Sequence, residues 1–289
     1  MNNLYPMCRY NAVRLAVVTL FLLGARAACP VEALEKAESD VPHTPILMVH
    51  AYYEGGAAKV YKDEQIPDKL KKAPYIEHII PEFSDAFREK PSALGGKRDR
   101  QAFLNALPRD NHKPIIFKGV CRGGVVVALV NGSQPVNHHA GTIIESPPAQ
   151  WVDVVSHKIG FLRVIPGLSR LLHRYMHWHP RYRYYNPKDI QPIEVIHKGD
   201  KPLLCVASIE VEVIPVASTL KLYVRARQAG RQVYLKLLPQ GKHLELADAY
   251  IPEQFAFIAH CTGTATAEQK ELLQKLQPTV DDLKKQGLI

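Results

Sequence analysis

Short runs of consecutive apolar residues punctuate the chain at regular intervals. They stand at Pro45-Ile46-Leu47-Met48-Val49-His50, Ile76 to Ile80, Pro114-Ile115-Ile116-Phe117-Lys118, Gly141-Thr142-Ile143-Ile144, Pro202-Leu203-Leu204-Cys205-Val206 and Val233-Tyr234-Leu235-Lys236-Leu237. Each is too short for a core helix and is apolar at successive rather than alternate positions, the pattern of a strand buried on both faces. Turn-like Glu54-Gly55-Gly56 follows the first run and Pro81 closes the second. Helical stretches fall between the runs: Asp68 to Ala73, Lys97 to Ala106, and the apolar Cys121 to Val130. Strands alternating with helices predict an α/β fold, a doubly wound and mostly parallel sheet. In such a sheet the reactive groups collect on loops at the carboxyl ends of the strands.

One connection is far longer than a crossover needs. Residues 149–201 separate two strands, where about a dozen residues suffice, and are expected to form a helical cap inserted over the active face. The insert carries His173-Arg174-Tyr175-Met176-His177-Trp178-His179-Pro180-Arg181-Tyr182-Arg183-Tyr184-Tyr185. Cations interleaved with aromatics suit stacking on bases or a lipid interface. They suit more simply a cap that packs its rings inward and turns its charges to water. Nucleic acid is therefore not expected as a partner, and membrane contact is the lesser alternative. Arg174, His177 and Trp178 are candidate substrate contacts on the cap. His177 and His179 lack a carboxylate or cysteine at ligand spacing, so no metal is expected, and nothing in the chain calls for a cofactor.

The chain begins with Arg9 and Arg14, then an uncharged apolar run from Leu15 to Gly24, then Ala25-Arg26-Ala27. That order is an export signal, 1–27, with cleavage after Ala27 and a periplasmic or secreted destination. Cleavage takes the formal charge from +9 to about +6. The domain reading is then a polar leader over 28–44, a core in two parts over 45–148 and 202–262, the cap between them, and a C-terminal helix over 263–289. The tail opens on a capping-box pair, Thr266 and Gln269, and repeats Leu272, Leu273, Leu276, Val280 and Leu283 at helical spacing. An apolar share of 46% excludes a disordered body. Of the cysteines left after cleavage, Cys121 and Cys205 have places in the core pattern, and Cys29 and Cys261 are left to pair or stay free.

Gly119-Val120-Cys121-Arg122-Gly123-Gly124 follows an apolar strand and opens an apolar helix, the context of a G-x-nucleophile-x-G elbow. The glycines Gly119 and Gly123 let strand and helix approach without a side-chain clash. Cys121 at the helix start is expected to gain thiolate character from the helix dipole. An acyl-transfer site also needs donors for the oxyanion. The amide of Arg122 and that of Tyr52, in the loop after the first strand, are the candidates. His243, in Gly241-Lys242-His243 after the last strand, is the candidate base, so the order nucleophile then histidine is kept.

From Thr44 to about Ala249 these features resemble the α/β-hydrolase superfamily, and the G-x-C-x-G-G elbow resembles the dienelactone hydrolases in particular. Ile144-Glu145-Ser146-Pro147 is similar to the strand-end E-S-P of its esterases and thioesterases. Lys201 to Val206 followed by Glu212-Val213-Ile214-Pro215 resembles the acid-bearing segment. The resemblance implies a triad acid four residues before Pro215, where this chain has Val211, and valine cannot orient an imidazole. Glu210, Glu212 and Glu145 are the carboxylates in reach of that role. A second departure is Ala51, where the superfamily usually has glycine.

Two functions follow. The first is a cysteine-dependent hydrolase or acyltransferase acting on a small ester, lactone or thioester through an acyl-Cys121 intermediate. The second is a catalytically inactive hydrolase-fold protein that binds a ligand or partner through cap and cleft. The oligomeric state is not readable from the sequence.

Overall fold

The computed structural model of the 289-residue chain describes residues 44–52, 66–81, 83, 93–160, 165–176, 178–182, 184–210, 213–241 and 246–289. Contacts divide the chain into two units, His43–Pro278 and a second made of Met1–Pro42 and Thr279–Ile289. Of the second unit only 279–289 is described, and the export signal and leader lie outside the described residues.

Every apolar run becomes a strand: β1 (Ile46–Ala51), β2 (Ile76–Ile79), β3 (Ile115–Val120), β4 (His139–Glu145), β5 (Leu203–Ser208) and β6 (Val233–Leu238). They form one sheet in the order β2-β1-β3-β4-β5-β6, parallel at every pairing. Helices among the described residues are α1 (Asp68–Lys72), α2 (Lys97–Asn105), α3 (Arg122–Ser133), α4 (Trp151–Lys158), α5 (Leu168–Met176), α6 (Pro192–Val195), α7 (Val216–Gln228), α8 (Ile251–Cys261), α9 (Ala267–Gln274) and α10 (Val280–Lys285).

Burial on both faces explains the unbroken apolar runs. On one face Met48, Ile116, Ile143, Leu204 and Tyr234 share a cluster with Phe255 and Phe257 of α8 and Leu273 of α9. On the other, the ring of Phe117 meets Phe103 of α2 edge-on at 5.0 Å, while α3 and α7 lie against the central strands. Helix α8 approaches β4 closely because Gly141 has no side chain; a Cβ there would stand 2.4 Å from the Cys261 sulfur. Cys261 is a free thiol, and Cys29 lies outside the described residues.

The long connection from β4 to β5 holds α4, α5 and α6 and is anchored at both ends. Trp151, Tyr185 and Val195 pack with Leu94, Val125 and Leu129, and Trp151 Nε1 donates to the carbonyl of Leu94 at 2.9 Å. Helices α7 and α8 were not expected from the sequence. The tail differs too: the expected single helix over 263–289 is two, α9 and α10. Pro278 cannot donate to a helical carbonyl and disfavours helical backbone at Gln277. Thr279 then restarts the helix, its side chain accepting from the Asp282 amide at 3.1 Å.

Candidate active site

The sheet register brings three strand ends together. Ala51 of β1 pairs with Gly119 of β3, and Val120 of β3 pairs with Glu145 of β4. Cys121 is the next residue, with φ 53 and ψ −115, a backbone conformation that costs a non-glycine residue of order 1–3 kcal/mol and persists only when its surroundings enforce it. They do so tightly. A Cβ on Gly119 would lie 2.4 Å from the Gly123 carbonyl oxygen, and one on Gly123 would lie 1.8 Å from the Ala51 oxygen and 2.8 Å from the Tyr52 nitrogen. The glycines expected at the elbow are thus required by contact. The same close approach sets the Tyr52 amide beside the start of α3, where the Arg122 amide is the first of the helical N–H groups that lack an intrahelical acceptor. The Cys121 amide donates to the Glu145 carbonyl at 2.8 Å.

The thiol itself departs from expectation. Cys121 is 3% exposed, and burial pushes its pKa up to about 12, against the smaller opposing pull of the Arg122 N–H and guanidinium. Desolvation disfavours the charged sulfur and outweighs the helix terminus. A thiolate here requires a base or a change of solvation on substrate binding. The Arg122 side chain is buried, with Nε 3.7 Å from Asp99 Oδ2 and its guanidinium 5.2 Å from the Phe83 ring centroid. Asp99 in turn accepts from the Gly95 amide at 2.8 Å. That side chain fastens the elbow to α2.

A buried polar seam crosses the sheet beneath the elbow, and the sequence reading missed most of it. Tyr250 Oη donates to Glu145 Oε2 at 2.8 Å, while Oε1 is buried with no hydrogen-bond partner among the described residues. Burial raises the Glu145 pKa; Lys118, the Tyr250 hydroxyl and the Leu246 amide pull it back. Lys118 Nζ donates to Gln254 Oε1 at 2.7 Å, and Gln254 Nε2 to the Ala247 carbonyl at 2.7 Å. Burial lowers Lys118 from 10.5 to about 8, partly offset by Glu145 and Asp248. On β1, His50 lies 3.2 Å from Tyr52 Oη and 2.8 Å from His78 Nδ1, and His78 Nε2 donates to the Leu70 carbonyl at 3.1 Å. Burial lowers the pKa of both imidazoles. For two neutral rings only one arrangement satisfies that chain: His50 Nε2–H donates to His78, and Tyr52 Oη–H donates to His50 Nδ1. The signal in the sequence was a single lysine within the apolar run Ile115–Val120.

Glu210 stands exposed after β5, and Arg174 and Trp178 are exposed in the connection from β4 to β5. Val211, Glu212, His177 and His243 lie outside the described residues. Both flanks of the stretch 242–245 are defined: a Cβ on Gly241 would lie 2.3 Å from Leu246 Cδ2, and the Leu246 amide acts on the Glu145 carboxylate. Among the described residues no three His, Cys, Asp or Glu side chains gather as metal ligands.

No protein-family model and no curated protein matches the chain. Solved structures do. An esterase from Pyrococcus furiosus superposes with a TM-score of 0.53 at 16% identity, over 76% of this chain and 83% of its own. A thermophilic esterase from the planctomycete Thermogutta terrifontis gives 0.53 at 14% identity, over 79% and 88%. An acylaminoacyl peptidase gives 0.50 at 15% identity, and the chain spans 40% of that protein's length. The parallel six-stranded sheet and its flanking helices match the α/β-hydrolase fold of these neighbours.

Proposed function

We propose that the protein is a cysteine-dependent hydrolase or acyltransferase acting on a small ester, lactone or thioester. The observation that carries this reading is the backbone of Cys121, held at φ 53 and ψ −115 between glycines whose replacement would collide with Ala51 and Gly123. Such strain at a strand-to-helix turn presents one side chain at the meeting point of three strand ends. In this reading Cys121 attacks the acyl carbon and expels the alkoxide or thiolate leaving group. His243 takes the thiol proton and returns it to that leaving group. The Arg122 and Tyr52 amides hold the oxyanion, and water or another acceptor releases the acyl group from sulfur. The G-x-C-x-G-G elbow supports a dienelactone-hydrolase-like chemistry.

Glu145 is our choice of acid in place of Val211. It sits one strand from the elbow, one carboxylate oxygen accepts from Tyr250, the other has no side-chain partner among the described residues, and the Leu246 amide that acts on the carboxylate flanks the stretch that carries His243. A buried carboxylate with one oxygen to spare suits orientation of an imidazole N–H. We also propose that residues 1–27 direct export and that residues 149–201 act as the cap.

A second reading has its own observation. The Cys121 thiol is buried and pushed up to about 12, as in a fold that has lost its chemistry and binds a ligand or partner. Mass spectrometry after exposure to an activated acetate ester at neutral pH separates the two. Acylation confined to Cys121, abolished by Cys121→Ala and slowed by His243→Ala, is the expected result. A sulfur that gains no acyl group overturns the enzymatic reading and leaves the binding one.

A further inference from the structure

From Val154 to Lys188 the chain has no aspartate or glutamate, and it carries seven lysines and arginines. That one segment holds more positive charges than the chain without residues 1–27 has in excess, about +6. Helix α5 lies within it. Leu172, His173 and Met176 are half-buried, Met176 against the Trp151 and Tyr185 cluster, so this side of the helix faces the protein. The opposite side presents Arg170, Leu171, Arg174 and Tyr175, and Trp178 continues the same stripe at the next turn. Leu171 and Tyr175 are each 65% exposed and Trp178 is 80% exposed, with Ile165 at 48% just before the helix. On a helical projection the two arginines fall together on one edge and the leucine and tyrosine on the other, with Trp178 exposed in the turn beyond the helix end.

We propose that this face of the cap docks on an anionic phospholipid surface. Leu171, Tyr175, Trp178 and Ile165 enter the boundary between headgroups and acyl chains, and Arg170 and Arg174 pair with lipid phosphates. Large apolar side chains set out in water in one stripe mark an interaction site. Tryptophan and tyrosine favour the membrane interface, where ring and polar edge are both satisfied, and basic amphipathic helices lie in that plane. A second copy of the chain is a poor occupant, since the same cations would face each other across the contact. A nucleic acid would use the arginines and rings but would leave Leu171 and Ile165 uncovered. No described helix is long and apolar enough to cross a bilayer, and the proposed contact is with the bilayer surface. The inference does not depend on whether Cys121 reacts.

The chain has two tryptophans, Trp151 buried and Trp178 exposed, so indole fluorescence reports mainly on the proposed face. The full chain is mixed with phosphatidylcholine vesicles, or with vesicles in which about one third of the lipid is phosphatidylglycerol, at low and high salt. The expected result is co-sedimentation and a blue-shifted emission with the anionic vesicles only, weakened by salt. Arg170→Gln and Arg174→Gln should each weaken binding about fivefold, and Leu171→Ser should weaken it without changing the salt dependence. These positions are exposed, so the variants keep the fold, which circular dichroism checks, and they carry the same amino terminus as the parent. Equal binding to both vesicles, binding that the variants leave intact, or emission that stays unshifted overturns the proposal. So does a dimer dispersed by Leu171→Ser, or oligonucleotide binding lost in the arginine variants with no vesicle binding.

Discussion

Helices α3 and α5 are built from similar fractions of apolar side chains and have opposite fates. Eleven of the twelve residues of α3 are buried, including a run of three β-branched valines with modest helix propensity. None of the nine residues of α5 is buried. The first is enclosed by sheet, neighbouring helices and the β4–β5 connection, so each contact leaves little freedom to its neighbours. The second is amphipathic and spends only one side on the protein. Tight enclosure holds a strained cysteine at one backbone conformation, and loose attachment leaves a surface free for recognition.

Substitutions probe that contrast in descending order of effect. Gly123→Val should be the most damaging, because even its Cβ would lie 1.8 Å from the Ala51 oxygen. A loss above about 4 kcal/mol is expected, read as failure to unfold cooperatively in urea. A variant that melts with the parent would show the elbow to be looser than the contacts require.

Next comes the buried lysine. Its folded pKa, about 8, lies below its ordinary 10.5, so its contribution is complete above the ordinary value and is lost as the pH falls through about 8. Stability should rise by up to about 3 kcal/mol between neutral pH and pH 10 on this account. Lys118→Met should flatten that rise in urea midpoints measured across the range. Glu145 acts in the opposite sense: its raised pKa makes a contribution that is present at acid pH and lost as the pH rises through the folded value.

Tyr250→Phe removes a hydrogen bond to a buried carboxylate and should cost roughly 1–3 kcal/mol at neutral pH, measured by denaturant unfolding. At the other end of the scale, Leu171→Ser on the exposed side of α5 should change stability by less than about 0.5 kcal/mol. A thermal shift well beyond that would show that α5 is held as firmly as α3, and the contrast would fail.

Much of the architecture was legible because it rests on local pattern. Six apolar runs marked six strands, since a strand buried on both faces leaves no polar position. Gly119, Cys121 and Gly123 were legible because the elbow is contiguous in sequence. Helices α7 and α8 escaped because α7 mixes polar and apolar residues and α8 carries, in its first turn, Pro252, which reads as a stop although that turn tolerates it. The tail was over-read: the spacing of its leucines continues across Pro278, and the proline decides. The link between Glu145 and Tyr250, 105 residues away, was not legible, because no local pattern pairs positions that far apart.

Sequence by itself determined the strands, the glycine-flanked turn at Cys121 and the acid-free segment 154–188, because each depends on residues adjacent in the chain. Only the tertiary structure decided the ionisation of Cys121, Lys118 and Glu145, and which side of α5 meets water. Desolvation is set by everything packed around a group, and that enclosure comes from strands and helices far apart in the chain.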